Sequence, residues 1–283
     1  MTKTLLLNGF HFDIIVCINV FGHKILYTSN KLLNVDDIIN SRDLTEWTRI
    51  RHSTIYNLII NALMEIYPII DADSSEEFLM KLLKALYEER EEKRRIRNLN
   101  NAGFLVVKSL EGYDYSQIRF PDGMEREELE ALSFLHCKEN LILYGAVGTG
   151  KTHLSVALGV KAISQGKRAV FFRVHDLINQ LENPDPIKVA KIYKKTNQAD
   201  LLILDEWGYL PLHQEGARLL FDIISTCYET KSVIITTNIE FGRWKGFLFD
   251  EKLTAAIVDR LVHHSHMLMF TGQSYRMTNS LLK

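Results

Sequence analysis

The sequence predicts an α/β fold in which a parallel sheet of five strands lies between helices, preceded by a small helical domain. Two patterns predict this fold. From about residue 131 onward, short apolar runs alternate with helical patterns, which is typical of a parallel sheet covered on both faces. Between about residues 46 and 100, apolar residues recur at helical spacing instead. The predicted strands are NLILYG, RAVFFRV, LLILDE, SVIITTN and MLMF.

The chain divides into four predicted segments. They are an N-terminal extension of undetermined fold (1–45), the helical domain (46–103), a linker (104–130) and the α/β domain (131–283). The helical domain is expected to end near Gly103, because glycine after a run of asparagines is typical of a helix end.

Composition excludes several classes of protein. The 283 residues are 46% hydrophobic and 24% charged, as in an ordinary globular protein, and the formal net charge is −1. Any affinity for nucleic acid must therefore come from a local basic surface. Three widely spaced cysteines, Cys17, Cys137 and Cys227, argue against a disulfide framework and favour a reducing cytoplasm. The apolar stretch 4–20 is interrupted by polar residues, so we expect no membrane span.

The strongest motif lies between the first predicted strand and the following helix. GAVGTGKT satisfies the phosphate-loop (Walker A) pattern G-x-x-x-x-G-K-[ST] through Gly145, Gly150, Lys151 and Thr152. Glycines let backbone N–H groups surround the phosphates, and the helix N-terminus adds partial positive charge. Lys151 is expected to reach the β- and γ-phosphates, and the Thr152 hydroxyl to bind Mg²⁺.

Two further strands end in polar residues that suit nucleotide hydrolysis. Asp205 and Glu206 end LLILDE, where Asp205 is predicted to join Thr152 in holding Mg²⁺ and Glu206 to polarise a water molecule (Walker B). Asn238 ends SVIITTN and is either a turn residue or the side chain that orients this water. A carboxylate after the Mg²⁺ ligand favours hydrolysis over transfer to an acceptor.

Two arginines are candidates for contacts with the γ-phosphate. Arg260, on a predicted helix beside Asp259, forms either a surface ion pair or an arginine finger inserted into a neighbouring subunit. Arg276, in GQSYRM, is a second candidate for sensing the nucleotide.

The order of these motifs resembles the IstB-type helper ATPases of insertion-sequence transposition, relatives of the DnaC-type helicase loaders in the AAA+ superfamily. The resemblance covers about residues 54–279 and rests on GAVGTGKTHL, LLILDEWGYLPL, IITTN, AAIVDRLVHHSH and GQSYR. Ala146 and Val147 stand where prolines are frequent, and Trp207 where leucine is usual. With His153 included through the shared GTGKTHL, the predicted nucleotide-binding residues are Gly145, Ala146, Val147, Gly148, Thr149, Gly150, Lys151, Thr152 and His153.

The resemblance implies a function and a set of partners. It implies an AAA+ ATPase that uses ATP and Mg²⁺, forms a homo-oligomer on duplex DNA, remodels the DNA and presents it to a cognate transposase. Because AAA+ active sites form between subunits, it favours Arg260 as a finger acting in trans. A DnaC-like replicative helicase loader is the alternative. A small-molecule kinase would need a set of lid arginines and an acceptor base, and neither is found in the sequence.

Basic residues occur on two predicted helices. The resemblance implies a DNA-tracking helical insertion in VHDLINQLENPDPIKVAKIYKKTNQAD, which carries the candidate DNA-binding residues Lys188, Lys191, Lys194 and Lys195. Without the resemblance, a solvated surface helix would explain these lysines. EEREEKRRIRN, with Lys93, Arg94, Arg95 and Arg97, is either an ion-paired solvated helix or a contact for phosphates or a partner protein.

The remaining candidates favour structural roles. His263, His264 and His266 have no acidic or cysteine partner at ligand spacing in the sequence, so we expect no metal there. Trp207, Tyr209 and Trp244 are expected in the core or at an interface.

Overall fold

A computed structural model describes residues 16–20, 23–28, 31–34 and 75–275. The chain separates into two compact units, Met1–Glu92 and Lys93–Lys283.

The first unit contains a small antiparallel sheet within the extension whose fold the sequence left open. Its strands are β1 (Val16–Val20), β2 (His23–Thr28) and β3 (Lys31–Asn34), with β2 in the middle. Val16 pairs with Tyr27, as expected for successive hairpins.

One long helix begins in the first unit and ends in the second, and the other described helices all lie in the second unit. The helices are α1 (Ser75–Ala102), α2 (Arg126–Ala131), α3 (Ser133–Cys137), α4 (Lys151–Ser164), α5 (Val174–Leu181), α6 (Pro186–Asn197), α7 (Gln214–Cys227), α8 (Trp244–Phe247) and α9 (Glu251–Val262), with a 3₁₀ turn at Phe241–Arg243. Helix α1 ends immediately before Gly103, as predicted. Among the described residues, no helix combines the length and apolar character needed to cross a bilayer.

A six-stranded sheet forms the centre of the second unit. Its strands are β4 (Ile118–Arg119), β5 (Asn140–Gly145), β6 (Ala169–Arg173), β7 (Leu201–Trp207), β8 (Ser232–Thr237) and β9 (Ser265–Phe270). The spatial order is β4-β9-β5-β8-β7-β6, and all neighbours pair in parallel except β4 with β9. The five predicted parallel strands are confirmed, and β4 adds a two-residue antiparallel edge. The carboxyl ends of β5, β7 and β8 therefore meet at one edge of the sheet.

Side chains that alternate along the strands build a hydrophobic core on each face. On one face, Val170, Leu202 and Val233 pack with α5, α7 and α9. On the other, Phe171 and Ile203 pack with α2, α3 and α4. This arrangement explains why the strands appear in the sequence as continuous apolar runs, because both faces of a covered sheet are buried.

The segment 104–130, expected to be a linker, packs against the second face. Phe104, Tyr113 and Phe120 contact its core, and Met124 and Leu129 are buried within it. This segment also supplies β4 and α2. Its aromatic residues therefore belong to the body of the α/β domain.

Candidate nucleotide-binding site

The phosphate loop joins β5 to α4 as the sequence predicts. The Lys151 Nζ donates hydrogen bonds to the carbonyls of Gly145 and Ala146, at 2.8 and 2.6 Å. The amine is thus held inside the curve of the loop, close to where phosphate oxygens would bind. Gly150 has a φ of +98°, a conformation that favours glycine, and a Cβ at this position would lie 2.9 Å from the Tyr113 hydroxyl.

Two segments outside the motif cover the loop. The Tyr113 hydroxyl donates a 3.3 Å hydrogen bond to the Gly150 carbonyl, and its ring lies 5.1 Å from the ring of His153. Burial raises the pKa of Tyr113. On the other side, the Tyr275 N–H donates to the Gly148 carbonyl at 3.0 Å. Neither Tyr113 nor Tyr275 is among the predicted site residues. The signals in the sequence were the aromatic residues of the segment 104–130 for Tyr113 and the motif GQSYR for Tyr275.

The two predicted Mg²⁺ ligands are in direct contact. The Thr152 hydroxyl donates a 2.9 Å hydrogen bond to Asp205 Oδ1, although 53 residues separate them. Thr236, the penultimate residue of β8, donates to the same carboxylate oxygen. Asp205 is buried, with 3% of its surface exposed. A hydroxyl and a carboxylate are hard oxygen donors that suit Mg²⁺, so the residues present fit this ion. Thr236 is not among the predicted site residues.

Glu206 points away from this buried pair. Its φ of +59° is unusual for a residue other than glycine, and its N–H donates to the Thr236 hydroxyl at 3.1 Å. Its side chain is 47% exposed, and Oε2 lies 3.7 Å from Nε of Arg173, the last residue of β6. Asp205 and Glu206 therefore project differently, with one carboxylate buried at the loop and the other open to solvent.

The remaining predicted catalytic residues lie near the same sheet edge or on a covering helix. Asn238 directly follows β8, and its side chain is exposed. Arg260, on α9, donates a 2.9 Å hydrogen bond to the Ala256 carbonyl, and its guanidinium lies 4.9 Å from the centre of the Phe221 ring. Arg276 lies outside the described residues.

The four candidate DNA-binding lysines lie on α6 but differ in exposure. Lys188, Lys191 and Lys194 are exposed, whereas Lys195 is half-buried with its amine 5.0 Å from the centre of the Phe172 ring. Burial lowers the pKa of Lys195. Asp185 begins the helix by accepting a 2.9 Å hydrogen bond from the Ile187 N–H.

The histidine cluster has an acidic neighbour that the sequence spacing did not reveal. Potential ligand atoms of His263, His264 and Glu229 lie within 4.8 Å of one another, and all three residues are exposed. His266 instead forms a 2.9 Å contact with Glu139. Of the aromatic candidates, Trp207 and Trp244 are fully buried and pack together, with ring centres 5.0 Å apart, whereas Tyr209 is exposed.

Comparison with known proteins places this geometry in a family. The family model described as "IstB-like ATP binding protein" matches residues 64–282. The chain belongs to this family. The IstB-like resemblance predicted from the motifs is thereby confirmed. The six-stranded, mostly parallel sheet confirms the predicted α/β fold class.

Two relatives and one solved structure illustrate the similarity. The ATP-binding protein of insertion sequence IS5376 from Geobacillus stearothermophilus is 37% identical over 74% of this chain and 84% of the relative. That of insertion sequence IS21 from Pseudomonas aeruginosa is 38% identical over 71% of this chain and 76% of the relative. The crystal structure of the DnaC helicase loader is 26% identical and covers 62% of this chain and 98% of that chain, with a TM-score of 0.46.

Membership in this family identifies the nucleotide that the chain binds. As an IstB-like protein, the chain binds ATP.

Proposed function

We propose that this IstB-like protein is an ATPase that assembles on duplex DNA with ATP, remodels the DNA and presents it to a transposase, and that hydrolysis controls release. The relatives are ATP-binding proteins of insertion sequences, which supports a role in transposition. The observation that carries the hydrolytic part is the pair Asp205 and Glu206, one buried against Thr152 and the other exposed beside it.

The residues at the carboxyl ends of the strands have separate roles in the proposed hydrolysis. Lys151 is positioned to exchange its carbonyl partners for the β- and γ-phosphates of ATP. Thr152 and Asp205 would hold Mg²⁺, which when bound neutralises charge on the phosphates. Glu206 would orient the attacking water with help from Asn238. This role requires Glu206 to turn from Arg173 toward the γ-phosphate.

Assembly of subunits would complete the site. In this proposal Arg260 reaches the ATP of a neighbouring subunit and stabilises the charge that develops as the bond breaks. Mixing an Arg260→Ala variant with a Lys151→Ala variant tests the idea. The first variant keeps an intact phosphate loop but has no finger, and the second keeps the finger but has no functional phosphate loop. Recovery of ATPase activity on mixing is the expected result. Two inactive variants that remain inactive when co-assembled would contradict a finger in trans.

The exposed lysines of α6 would hold DNA through its phosphates. Lys188, Lys191 and Lys194 lie on a helix with a net positive charge, and contacts of this kind bind without regard to sequence and weaken as salt rises.

The decisive experiment measures assembly and ATPase activity with and without duplex DNA. We expect ATP to promote oligomers and tighten DNA binding, and DNA to stimulate hydrolysis, because a ligand that binds between subunits stabilises the assembly by mass action. If ATP changes neither the oligomeric state nor DNA affinity, the proposal fails.

Glu206→Gln separates ATP binding from hydrolysis. It should lower the turnover of ATP by at least ~100-fold, as expected on loss of a general base, and trap the ATP-bound assembly on DNA. Dissociation from labelled DNA after addition of unlabelled competitor provides the measurement. Release as fast as that of the unmodified protein would show that hydrolysis does not control release.

The partner is identified by a separate experiment. Pull-down with the tagged protein, ATP and DNA should retain the transposase encoded beside it. Retention of the replicative helicase, with no retention of the transposase, would favour the DnaC-like loader instead.

A further inference from the structure

A basic cleft lies between the end of α1 and helix α6. Its volume is about 420 Å³, many times the ~30 Å³ that a water molecule occupies in the liquid. Five of its lining side chains are cationic, and none is a carboxylate; the cations are Arg97, Arg168, Lys191, Lys194 and Lys195. Three amide side chains, Asn98, Asn101 and Gln198, also line the cleft. We call this set of residues the basic cleft.

Three separate parts of the second unit contribute these charges. Arg97 comes from α1, Arg168 from the residue before β6, and the three lysines from α6. The end of α1 is fixed on the domain, because Ala102 is fully buried in the core and Leu99 packs against it. Folding therefore brings Arg97 beside basic residues that lie about seventy to a hundred positions later in the sequence.

The exposed cations of the cleft are available to an external anion. In the described part of the chain, Arg97, Arg168, Lys191 and Lys194 form no ion pair with a carboxylate. Other basic side chains of the domain do form such pairs, including Arg126 with Glu130 at 2.7 Å and Arg218 with Glu215 at 2.6 Å. The Asp200 carboxylate accepts a hydrogen bond from the backbone N–H of Arg168 at 2.7 Å. For a protein with a net charge of −1, four like charges at one cleft are a local excess.

The fifth cation, Lys195, forms part of the cleft wall. Its amine faces the Phe172 ring, and it lies 3.5 Å from the position that a Cβ on Gly103 would occupy. The negative end of the α1 dipole offsets part of the cost of burying this charge. Because burial lowers its pKa, an anion bound in the cleft would also favour its charged form.

We propose that the basic cleft binds a phosphodiester segment of the DNA backbone, so that the DNA contact extends from α6 to Arg97 and Arg168. This inference rests on the proposed function, since it adds a second set of contacts to the DNA held by α6. Two arginines can each bind phosphate oxygens with two parallel hydrogen bonds, and amides can donate to phosphate or sugar oxygens. The contact is independent of base sequence, because phosphates carry no sequence information.

The test removes the two arginines that lie outside α6. We compare Arg97→Ala/Arg168→Ala with Arg95→Ala/Lys167→Ala, which removes two positive charges from the same two segments at positions that do not line the cleft. Affinity for fluorescent duplex DNA is measured with a slowly hydrolysed ATP analogue over a range of salt concentrations. The cleft variant should bind at least ~100-fold more weakly, at about tenfold for each charged hydrogen-bonding partner, and its salt slope should fall by about 2. The control variant should stay within about threefold of the unmodified protein.

Further measurements separate the possible failures. ATPase activity without DNA should be unchanged in both variants, which shows that the fold is intact. Arg97→Lys/Arg168→Lys should restore the salt slope but only part of the affinity, because lysine keeps the charge and loses the two parallel hydrogen bonds. DNA should also protect Lys191 and Lys194 of the unmodified protein from acetylation.

If the unmodified protein does not bind DNA, the proposed function itself fails. If it binds DNA but the cleft variant matches the control in affinity and salt slope, the inference about the cleft is wrong, and an acidic protein partner becomes the better occupant.

Discussion

The nucleotide site and the basic cleft use polar side chains in opposite ways. At the nucleotide site, Lys151, Thr152, Asp205 and Thr236 hydrogen-bond within the chain, and the hydroxyls of Thr152 and Thr236 donate to the same oxygen of Asp205. At the cleft, the exposed cations have no carboxylate partner in the part of the chain that the structure describes. The first region is organised before its ligand arrives, whereas the second is held in place only by the elements that carry it.

This difference predicts how substitutions will combine. Residues in one hydrogen-bonded network are coupled, so the effect of two changes differs from the sum of the single effects. Surface cations that contact separate phosphates act almost independently, and their effects add in free energy. The following predictions test this contrast, beginning with the largest expected effect.

Lys151→Ala should abolish ATP-dependent behaviour. The change removes the amine that lies inside the phosphate loop, so we expect ATP hydrolysis to fall at least ~100-fold, about 3 kcal/mol in the barrier. DNA binding that depends on ATP should be lost with it. Steady-state hydrolysis and DNA affinity provide the measurements. Lys161→Ala is the control, because Lys161 lies on the same helix and its amine lies 3.8 Å from the Glu130 carboxylate, away from the phosphate loop. Full ATP-dependent assembly by Lys151→Ala would contradict the assignment.

Thr236→Val should weaken the Mg²⁺ site about tenfold. The valine has the same shape but cannot donate to Asp205 or accept from the Glu206 N–H, and loss of such supporting hydrogen bonds typically lowers metal affinity 10- to 100-fold. The Mg²⁺ concentration that gives half-maximal hydrolysis should rise accordingly. Thr237→Val is the control, since its hydroxyl contacts the Trp207 carbonyl instead. Equal Mg²⁺ dependence in the two variants would show that Thr236 does not support the Mg²⁺ site.

The motif residues of the nucleotide site could be predicted because their chemistry requires local backbone geometry. A loop that surrounds phosphates needs glycines, a lysine and a hydroxyl at fixed spacing, so residues 145–152 can be recognised from the sequence alone. The strands were equally clear, since both faces of the sheet are covered and each strand is a continuous apolar run. Thr236 and Tyr113 were missed because their contacts join distant segments, and neither residue type carries a signal by itself.

The basic cleft could be predicted only in part, for the same reason. For the segment that holds Arg97, the sequence leaves open an ion-paired solvated helix or a contact for phosphates or a partner protein, and Arg168 is an isolated arginine before a strand. Only the docking of Ala102 in the core brings them beside Lys191. The burial of Lys195 was likewise invisible in a helical projection, which groups it with its exposed neighbours.

Single substitutions of the exposed α6 lysines should weaken DNA binding modestly and additively. Lys188→Ala, Lys191→Ala and Lys194→Ala should each lower affinity a few-fold and reduce the salt slope by about 1, because each removes one phosphate contact. In the triple variant, the logarithms of these effects should sum. Binding isotherms at several salt concentrations measure both quantities. If the DNA affinity of the triple variant is no lower than that of the single variant that binds least tightly, the lysines act as a coupled unit. That result would contradict the contrast drawn between the cleft and the nucleotide site.

Arg173→Ala should have the smallest effect and should act in the opposite direction. Arg173 lies 3.7 Å from Glu206, and both side chains are more than 40% exposed, so their attraction is at most about 1 kcal/mol. Releasing Glu206 to turn toward the γ-phosphate should therefore raise hydrolysis without DNA by about two- to fivefold. The increase should be absent in an Arg173→Ala/Glu206→Gln double variant, because it depends on the carboxylate. A large loss of hydrolysis in Arg173→Ala would instead make this arginine a contact of the nucleotide, and the coupled network would then extend across the sheet edge to β6.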